Sequence, residues 1–308
     1  EALDEPRKKK IEASAHISAE NIISMPDVVG KGTADTIYVI PLDLEKEKFG
    51  EKILKRLNLE KRRVPDWASW EEMVKRTTNP AKEISIALVG KYLSIGDFQL
   101  KDSYLSVAAA LSHAGAKHKV RVKIAWIDSA DIENWKVDLS KFDGILVPGG
   151  FGNSGVEGKI LAIEYARKNS IPFLGLCYGL QLAVVEYSRN VCDLEANSSE
   201  INPDVEHKVI DILPDQVGVN KKGGTMRLGG YIAELKPGSK VEEMYGKSSV
   251  SERHRHRYEV NPEYHKILVE KGLVISGRSP DGKLVEFIEL PNHPFFIATQ
   301  AHPEFTSC

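Results

Sequence analysis

A cysteine at position 177 stands between two glycines in the sequence GLCYG, residues 175–179. The apolar residues 173–176 predict the end of a buried strand, and those from 180 to 191 recur at helical spacing. Glycines at this spacing are typical of the tight strand-to-helix turn that lifts a nucleophile above a sheet. A helix N-terminus also favours the thiolate over the thiol. The sequence therefore predicts a nucleophilic Cys177, with a buried structural cysteine as the commoner alternative.

The base that this nucleophile needs is predicted at His302, which is followed by Pro303 and then by Glu304. The proline favours an extended backbone at His302, and in an extended segment Glu304 faces the same side as the histidine. A carboxylate there would fix the tautomer of the ring and stabilise the imidazolium, as the third member of a catalytic triad does. A surface turn is the alternative. His293 is also followed by proline but has Phe295 at the third place, so we expect it to be structural.

Two backbone N–H groups are candidates for holding the oxyanion of an acyl transfer. One belongs to Tyr178, directly after the cysteine. The second is predicted at Gly150, in the glycine-rich sequence PGGFG (148–152) at the end of another strand. Such a loop can also hold phosphate, and PGGFG alone does not separate the two uses. The phosphate-binding pattern GxxxxGK[ST] occurs nowhere in the sequence.

Charged residues indicate an amino-acid substrate. Arg253, Arg255 and Arg257 alternate as in a strand, which predicts that all three lie on one face. An arginine directed into the site would grip a carboxylate through two parallel hydrogen bonds. Glu200 would pair with an ammonium group. The alternative interpretation of the arginines is a solvated cationic edge.

The elements that must position these residues alternate between strands and helices from residue 84 onward. Strands are predicted at 84–90, 120–128, 144–150 and 173–176, and helices after 102, at 156–169 and after 177. This alternation predicts an α/β fold with a mostly parallel central sheet flanked by helices. Ligands bind at the carboxyl ends of the strands of such sheets, where Gly150 and Cys177 both lie. The final hundred residues predict an additional β-rich section with a hairpin at 281–282.

The residues before this alternation predict a different organisation. A basic helical segment is predicted within residues 1–24, a strand within 35–44, and charge-dense helices within 45–82. We therefore expect three segments, with 45–82 as a helical linker between residues 1–44 and a catalytic domain at 83–308.

Composition is that of a globular enzyme. Of 308 residues, 42% are hydrophobic and 28% charged, and the net charge of −2 predicts neither a nucleic-acid nor a membrane partner. No apolar run approaches the ~18 residues of a membrane span, and no signal-peptide pattern is present. Three cysteines without a CxxC pair argue against a disulfide framework or a zinc site and predict a cytoplasmic location. We expect Cys192 and Cys308 to be structural or incidental.

Taken together, the GxCxGxQ turn, the PGGFG loop and the late HPE sequence resemble the class I, or triad, glutamine amidotransferases over residues 83–308. GLCYG is also close to the turn of the GMP synthetases. Other stretches resemble the CTP synthases within that class: ANSSE (196–200), GGTMRLG (223–229), ERHRHRYEVN (252–261) and NHPFFIATQAHPEFTS (292–307). In the first 44 residues, RKKKI, ISMPDV and DTIYVIPL resemble the end of the amidoligase domain of the same family.

The resemblance implies roles for individual residues. Cys177, His302 and Glu304 would form the triad, and Gly150 and Tyr178 the oxyanion hole. Glutamine would be held by Gly150, Tyr178, Gly179, Leu180, Gln181, Glu200 and Arg257. Lys10, Pro26, Asp27 and Val28 fall where the family contacts nucleotides. This sequence departs from the family in having Tyr178 in place of the usual leucine and VGKGTA (29–34) after PDV.

The reaction implied is hydrolysis of L-glutamine through a cysteine thioester, with ammonia supplied for the ATP-dependent amination of UTP to CTP. No cofactor is expected in this chain. The resemblance implies ATP and Mg²⁺ in the amidoligase domain, GTP as an allosteric activator, and a homo-oligomer, a tetramer, as the whole enzyme. The chain then corresponds to the glutaminase half with the tail of the synthetase half. Three alternatives stay open: the glutaminase of another amidotransferase such as GMP synthetase, a related cysteine hydrolase, and a non-catalytic module that has kept the fold.

Overall fold

The computed structural model describes residues 3–25, 36–91, 94–95, 98–99, 101–212 and 226–307. The chain divides into two compact units. The first comprises Glu1–Glu83 and Ser112–Arg121, and the second comprises Ile84–Leu111 and Val122–Cys308.

The first unit is helical. Its helices are α1 (Glu5–Ala15), α2 (Ile40–Lys46), α3 (Phe49–Arg56) and α4 (Ala68–Thr78), with 3₁₀ turns at Ala19–Asn21 and Ile37–Val39. Tyr38 joins three parts of the unit, because its hydroxyl lies 2.6 Å from Nε2 of His113 and its carbonyl accepts from Nε1 of Trp70 at 2.7 Å.

The strand predicted within residues 35–44 is wrong for the described part of that segment, which is helical from Ile37 to Lys46. The side chain of Thr36 accepts a hydrogen bond from the N–H of Tyr38 and so caps the first turn. Pro41 then lies in the first turn of α2, where its missing N–H costs nothing. Local capping therefore outweighs the β-propensity of the branched residues.

The second unit is built on a nine-stranded sheet. In sheet order its strands are β10 (Ser249–His256), β9 (Arg227–Leu235), β12 (Val274–Arg278), β13 (Val285–Glu289), β14 (Phe296–Thr299), β6 (Phe173–Leu176), β5 (Gly144–Val147), β1 (Lys82–Gly90) and β4 (Val120–Asp128). Strands β1, β5, β6 and β14 pair in parallel, whereas β13, β12, β9 and β10 continue the sheet in antiparallel pairs. The predicted α/β class is confirmed, and the β-rich section extends the central sheet.

Smaller elements surround this sheet. A three-stranded sheet contains β11 (Tyr258–Val260), β8 (His207–Ile212) and β7 (Ala196–Ser198), and a two-stranded one contains β2 (Ser94–Ile95) and β3 (Phe98–Gln99). The remaining helices are α5 (Leu105–His118), α6 (Ser129–Glu133), α7 (Val156–Lys168), α8 (Tyr178–Asn190), α9 (Lys240–Tyr245) and α10 (His265–Glu270). Among the described residues, no helix combines the length and the apolar character of a membrane span.

Helix α8 lies in the core of the second unit. Every residue from 178 to 188 is buried, including Glu186, whose carboxylate is paired with Arg167 at 2.6 Å. The apolar side chains of α8 pack in one cluster with those of β5, β14 and α7. The residue at the start of this helix is therefore held by a rigid support.

Candidate active site

Cys177 occupies a strained turn between β6 and α8. Its backbone has φ 51° and ψ −98°, a backbone conformation that residues other than glycine rarely adopt. The two flanking glycines are required by close contacts. A Cβ atom on Gly175 would lie 2.9 Å from the Gly179 backbone, and one on Gly179 would lie 2.2 Å from the carbonyl oxygen of Val147. The predicted nucleophile turn is thus present, and both glycines are needed to close it.

The order of strands brings three sequence-distant segments to this turn. Strand β6 lies between β14 and β5 and is parallel to both, so the carboxyl ends of all three meet at one edge of the sheet. Cys177 follows β6, His302 follows β14, and Gly150 follows β5. The N–H of Cys177 donates to the carbonyl of Thr299 at 2.7 Å, which ties the end of β6 to the end of β14.

His302 and Glu304 are paired as predicted, although the backbone differs from the extended segment expected. Residues Pro303–Phe305 form a 3₁₀ turn after His302. This turn directs the carboxylate of Glu304 back to Nδ1 of His302 at 2.8 Å. The ring also lies close to the β5 loop, because a Cβ atom on Gly149 would be 2.7 Å from Cε1 of His302. Glycine at 149 therefore makes room for the imidazole.

The pKa of His302 is set by opposing effects. Burial alone lowers it, but the hydrogen bonds and charges of Cys177 and Glu304 outweigh burial and raise the pKa from 6.5 to about 10. Because Nδ1 is taken by Glu304, Nε2 is the ring nitrogen left to face Cys177. This arrangement favours the imidazolium form of His302 at neutral pH.

The start of α8 offers backbone donors next to the sulfur. The N–H groups of Leu180 and Gln181 both donate to the carbonyl of Cys177, at 3.0 and 3.2 Å. Helix geometry leaves the N–H groups of Tyr178 and Gly179 without an intrahelical acceptor. Gly150 lies beside this helix end, since a Cβ atom on it would be 3.4 Å from Cδ1 of Tyr178. The N–H of Tyr178 therefore directly follows Cys177, and Gly150 lies against the ring of the same tyrosine.

The loop that carries Gly150 is held by two side chains. The hydroxyl of Tyr178 donates to the carbonyl of Gly152, and burial raises the pKa of that hydroxyl, which therefore stays protonated. The carboxylate of Glu200 accepts from the N–H of Gly152 at 3.0 Å. Glu200, predicted to bind an ammonium group, is thus placed at the active-site loop.

Arg257 departs from the predicted strand face. Strand β10 ends at His256, so Arg253 and Arg255 lie exposed on one face while Arg257 is half-buried in the bend before β11. The end of β10 passes close to the nucleophile, because the carbonyl of Arg255 lies 4.0 Å from Sγ of Cys177. The expectation of three arginines on one face is wrong, since the backbone turns at the third.

Opposite charges meet near Tyr258. Burial and the charge of Glu200 raise the pKa of the Tyr258 hydroxyl, and Arg257 acts on it in the opposite direction. The carbonyl of Tyr258 accepts from Nε2 of Gln181 at 3.0 Å. Gln181 therefore contacts the backbone of Tyr258, while Glu200 and Arg257 lie within electrostatic range of its hydroxyl. The side chain of Leu180, by contrast, is fully buried in the core, and its N–H already donates to the carbonyl of Cys177.

Other residues considered in the sequence have different surroundings. Both ring nitrogens of His293 have backbone partners, the carbonyl of Ala166 and the N–H of Phe295, as expected for a structural histidine. Cys192 is buried, and burial raises the pKa of its thiol. Lys10 is exposed on α1 of the first unit. Pro26, Asp27, Val28, the VGKGTA segment and Cys308 lie outside the described residues.

The sequence reasoning missed a buried polar network in the antiparallel half of the sheet. Nδ1 of His254 lies 2.9 Å from Nε2 of His256, and Arg227 is paired with Glu259 at 3.3 Å and with Glu286 at 2.7 Å. Burial lowers the pKa of His254 to about 3 and that of His256 well below 6.5. The alternation of the RHRHR sequence was the available signal, because it places both histidines on the face opposite the arginines.

Two further residues near Cys177 were missed. Lys159 on α7 is 2% exposed, and its ammonium lies 5.4 Å from the centre of the Tyr178 ring. Burial, and then the charge of Lys91, lower the pKa of Lys159 to about 8. Gln300 is fully buried between β14 and His302, and its Nε2 lies 3.7 Å from Sγ of Cys177. The position of Gln300, two residues before His302, was the only feature of the sequence that could have indicated its role.

Comparison with known proteins gives a consistent result. Residues 99–308 match the family model described as glutamine amidotransferase class-I. The chain is 52% identical to the CTP synthase of Methanococcus maripaludis over 313 residues, which cover 99% of this chain and 56% of that protein. It is 55% identical to the CTP synthase of Carboxydothermus hydrogenoformans over 277 residues, 89% of this chain and 51% of that protein. The chain therefore spans about half the length of these relatives.

A solved structure agrees with these matches. The glutaminase domain of Trypanosoma brucei CTPS, with bound acivicin, is similar with a TM-score of 0.66 and 40% identity. The match covers 72% of this chain and 86% of that one.

Proposed function

The chain belongs to the class-I glutamine amidotransferases and, within them, to the glutaminase domains of the CTP synthases, and on this premise we propose that it hydrolyses L-glutamine through a thioester on Cys177. The observation that carries the proposal is the convergence of Cys177 with the His302–Glu304 pair, whose Nδ1–Oε1 distance is 2.8 Å. A nucleophile, a base and an orienting carboxylate are the parts that such acyl transfer needs.

In the first half of the reaction the Cys177 thiolate attacks the side-chain amide carbon of glutamine. The N–H groups of Tyr178 and Gly150 hold the resulting oxyanion. His302 enters this step as the imidazolium, which its raised pKa supports, and gives its Nε2 proton to the departing ammonia. The product is a glutamyl thioester and a neutral imidazole.

In the second half a water molecule attacks the thioester carbon. Neutral His302 takes the proton of this water at Nε2 while Glu304 keeps Nδ1 protonated and oriented. A second oxyanion collapses, glutamate leaves, and the sulfur returns to the thiolate paired with the imidazolium. Atoms and charge balance without a cofactor.

Selectivity for glutamine is proposed to come from charges at its α-carbon. Arg257 binds the α-carboxylate and Glu200 the α-ammonium, and their joint effect on the Tyr258 hydroxyl supports a position close to each other. The backbone of Tyr178, Gly179 and Leu180 and the side chain of Gln181 complete the pocket.

Glutamate release from glutamine by the purified chain tests the proposal. Cys177→Ala should reduce the rate to background, because alanine fits the turn but cannot form the thioester. Cys192→Ala is the matched control, since it removes another buried thiol from the same helix region and should retain activity. Comparable glutamate release by Cys177→Ala and the wild type would overturn the assignment.

For the whole protein we propose that the ammonia aminates UTP to CTP in an amidoligase domain that uses ATP and Mg²⁺, in a cytoplasmic homo-tetramer activated by GTP. Lys10, Pro26, Asp27 and Val28 are proposed to contact nucleotide there. Formation of CTP from glutamine, UTP and ATP by the full-length protein tests this. The absence of CTP while glutamate is still released would overturn it without affecting the glutaminase proposal.

A further inference from the structure

Gln300 is the one residue outside the triad whose side chain donates a hydrogen bond to Sγ of Cys177 within the described part of the chain. Its Nε2 lies 3.7 Å from the sulfur, which is within hydrogen-bonding range for this large acceptor. The side chain is fully buried, so water does not compete for the contact. Its backbone is also fixed, because its N–H donates to the carbonyl of Glu286 at 2.9 Å.

The orientation of the Gln300 amide follows from its neighbours. The carbonyl of Tyr258 can only accept, so Gln181 must direct its NH₂ group towards it, at 3.0 Å. The same NH₂ group lies 3.3 Å from the other end of the Gln300 amide, which must therefore be the oxygen, Oε1. The NH₂ group of Gln300 is then left facing the sulfur. A flipped Gln300 would put two donors against each other at Gln181 and an oxygen against the thiolate.

We infer that Gln300 is a further catalytic residue, whose side-chain N–H stabilises negative charge on the sulfur of Cys177. The contact acts twice in the proposed reaction. It raises the fraction of Cys177 that is thiolate before attack, and it stabilises the same sulfur when it leaves the second tetrahedral intermediate. The oxyanion donors Tyr178 and Gly150 act on the substrate oxygen, so Gln300 has a separate task.

A backbone carbonyl close to the sulfur explains why the N–H donor of Gln300 is useful. The carbonyl of Arg255 lies 4.0 Å from Sγ and can accept a proton from the thiol form. A carbonyl oxygen near sulfur favours the thiol over the thiolate, whereas an N–H group favours the thiolate. Gln300 and His302 together oppose this preference.

The role is tested by the pH dependence of Cys177 alkylation with iodoacetamide in the full chain. Gln300→Met keeps the length and removes the donor, so the midpoint of the alkylation rate should move to higher pH by about one unit. At a pH below both midpoints, the variant should react roughly tenfold more slowly. Above both midpoints it should react at least as fast as the wild type, because a less stabilised thiolate is the stronger nucleophile.

A second variant separates the donor from the packing. Gln300→Glu keeps the shape and the oxygen that Gln181 contacts, and it places a carboxyl oxygen at the sulfur in place of the amide NH₂ group. Its midpoint should move upward at least as far as that of Gln300→Met. If Gln300→Met fails to fold, the midpoint of Gln300→Glu alone tests the inference. A folded Gln300→Glu variant with the midpoint of the wild type would overturn the inference.

The same measurement in a His302→Ala background shows whether Gln300 contacts the sulfur directly. A direct donor still shifts the midpoint when Gln300→Met is added to His302→Ala. A shift that disappears there would mean that Gln300 acts through His302, and the inference would be wrong. The inference rests on the proposed function, but alkylation requires no glutamine. Failure of the wild type to release glutamate would therefore count against the function alone.

Discussion

Glu304 decides which nitrogen of His302 faces the sulfur. Its carboxylate holds the Nδ1 proton at 2.8 Å, and its charge is one of the causes of the raised pKa of the imidazole. One of its oxygens, Oε2, is buried and has no hydrogen-bond partner among the described residues, so Oε1 makes the directed contact with the ring. A substitution of Glu304 that keeps this contact but removes the charge therefore separates the orientation of the His302 ring from its charge balance.

Glu304→Gln should slow glutamine turnover roughly 10- to 100-fold, since the amide oxygen still holds the ring but no longer balances the imidazolium. His302→Ala should cost at least about 10³-fold because acid and base are both lost. The pKa of His302 should fall in Glu304→Gln, so the loss of activity at high pH should begin at lower pH. Steady-state rates across pH measure this, and a Glu304→Gln variant as fast as the wild type would assign the residue to the surface turn.

Arg257 distinguishes a glutamine pocket from a general cysteine hydrolase. Arg257→Ala should remove a charge-assisted bond to the α-carboxylate of roughly 1.5–3 kcal/mol, which corresponds to about a ten- to over a hundred-fold loss in kcat/KM. Most of the loss should appear in KM if the contact is equal in ground and transition states. Arg255→Ala is the matched control, because that arginine is exposed on β10 and should leave KM unchanged.

Alkylation by iodoacetamide completes the test of Arg257, because this reagent needs no carboxylate recognition. Arg257→Ala should be alkylated at nearly the wild-type rate. Equal losses toward glutamine and iodoacetamide would mean that Arg257 supports the thiolate or the fold. An unchanged kcat/KM for glutamine would mean that Arg257 belongs to a solvated cationic edge and does not bind the substrate.

At the scale of elements, the turn between β6 and α8 depends on close backbone contacts. Gly179→Ala should lower the free energy of unfolding by about 3 kcal/mol or more, because its Cβ would overlap the Val147 carbonyl at 2.2 Å and neither backbone can give way easily. Gly50→Ala in α3 is the control. A Cβ atom there would meet none of the described residues within 4 Å, so this variant should be neutral or stabilise the fold by up to about 1 kcal/mol. Thermal and chemical unfolding of both variants measure this, and equal stabilities would refute the close contact.

The antiparallel half of the sheet should be sensitive to acid. The pKa of His254 is lowered by burial, then by Arg227 and His302, to about 3, from 6.5. Stability from the neutral ring is present above pH 6.5 and is lost as the pH falls towards 3, because only the unfolded chain binds the proton. The groups facing this ring are His256, Arg227, Tyr231, Glu286 and His302.

When the pH falls from 7 to 5, His254 should lower the free energy of unfolding by about 2 kcal/mol. His254→Asn should weaken the acid dependence of the free energy of unfolding by that amount. His16→Asn is the control, because His16 is exposed at the end of α1 in a left-handed conformation that asparagine tolerates. Parallel acid dependences of His254→Asn and the wild type would contradict the prediction.

For the molecule as a whole, the sequence predicted the features that depend on local pattern. The alternation from residue 84 was sufficient for the α/β class, and the resemblance to the CTP synthases is confirmed. The spacing of Gly175, Cys177 and Gly179 was sufficient for the nucleophile turn. Each of these rests on periodicity or on a backbone constraint that a short stretch expresses completely.

What the sequence did not predict depends on contacts between distant segments. Strand β14 lies next to β6 although more than a hundred residues separate them, and only that pairing puts Gln300 against Cys177. The bend at Arg257 follows from the change of β-sheet partner between β10 and β11. The helix at residues 37–46 follows from a cap and a proline position that the β-branched composition concealed.

In the proposed reaction Cys177 carries a glutamyl group as a thioester. Rapid mixing of the chain with glutamine, acid quenching and peptide mass spectrometry test whether this intermediate forms. We predict a glutamyl group on the peptide that contains Cys177, removable by hydroxylamine, that forms and decays at rates consistent with glutamate release. The same group should be absent from Cys177→Ala. Glutamate release at an undiminished rate with no adduct on Cys177, or with the adduct on Cys192, would rule out a thioester on Cys177.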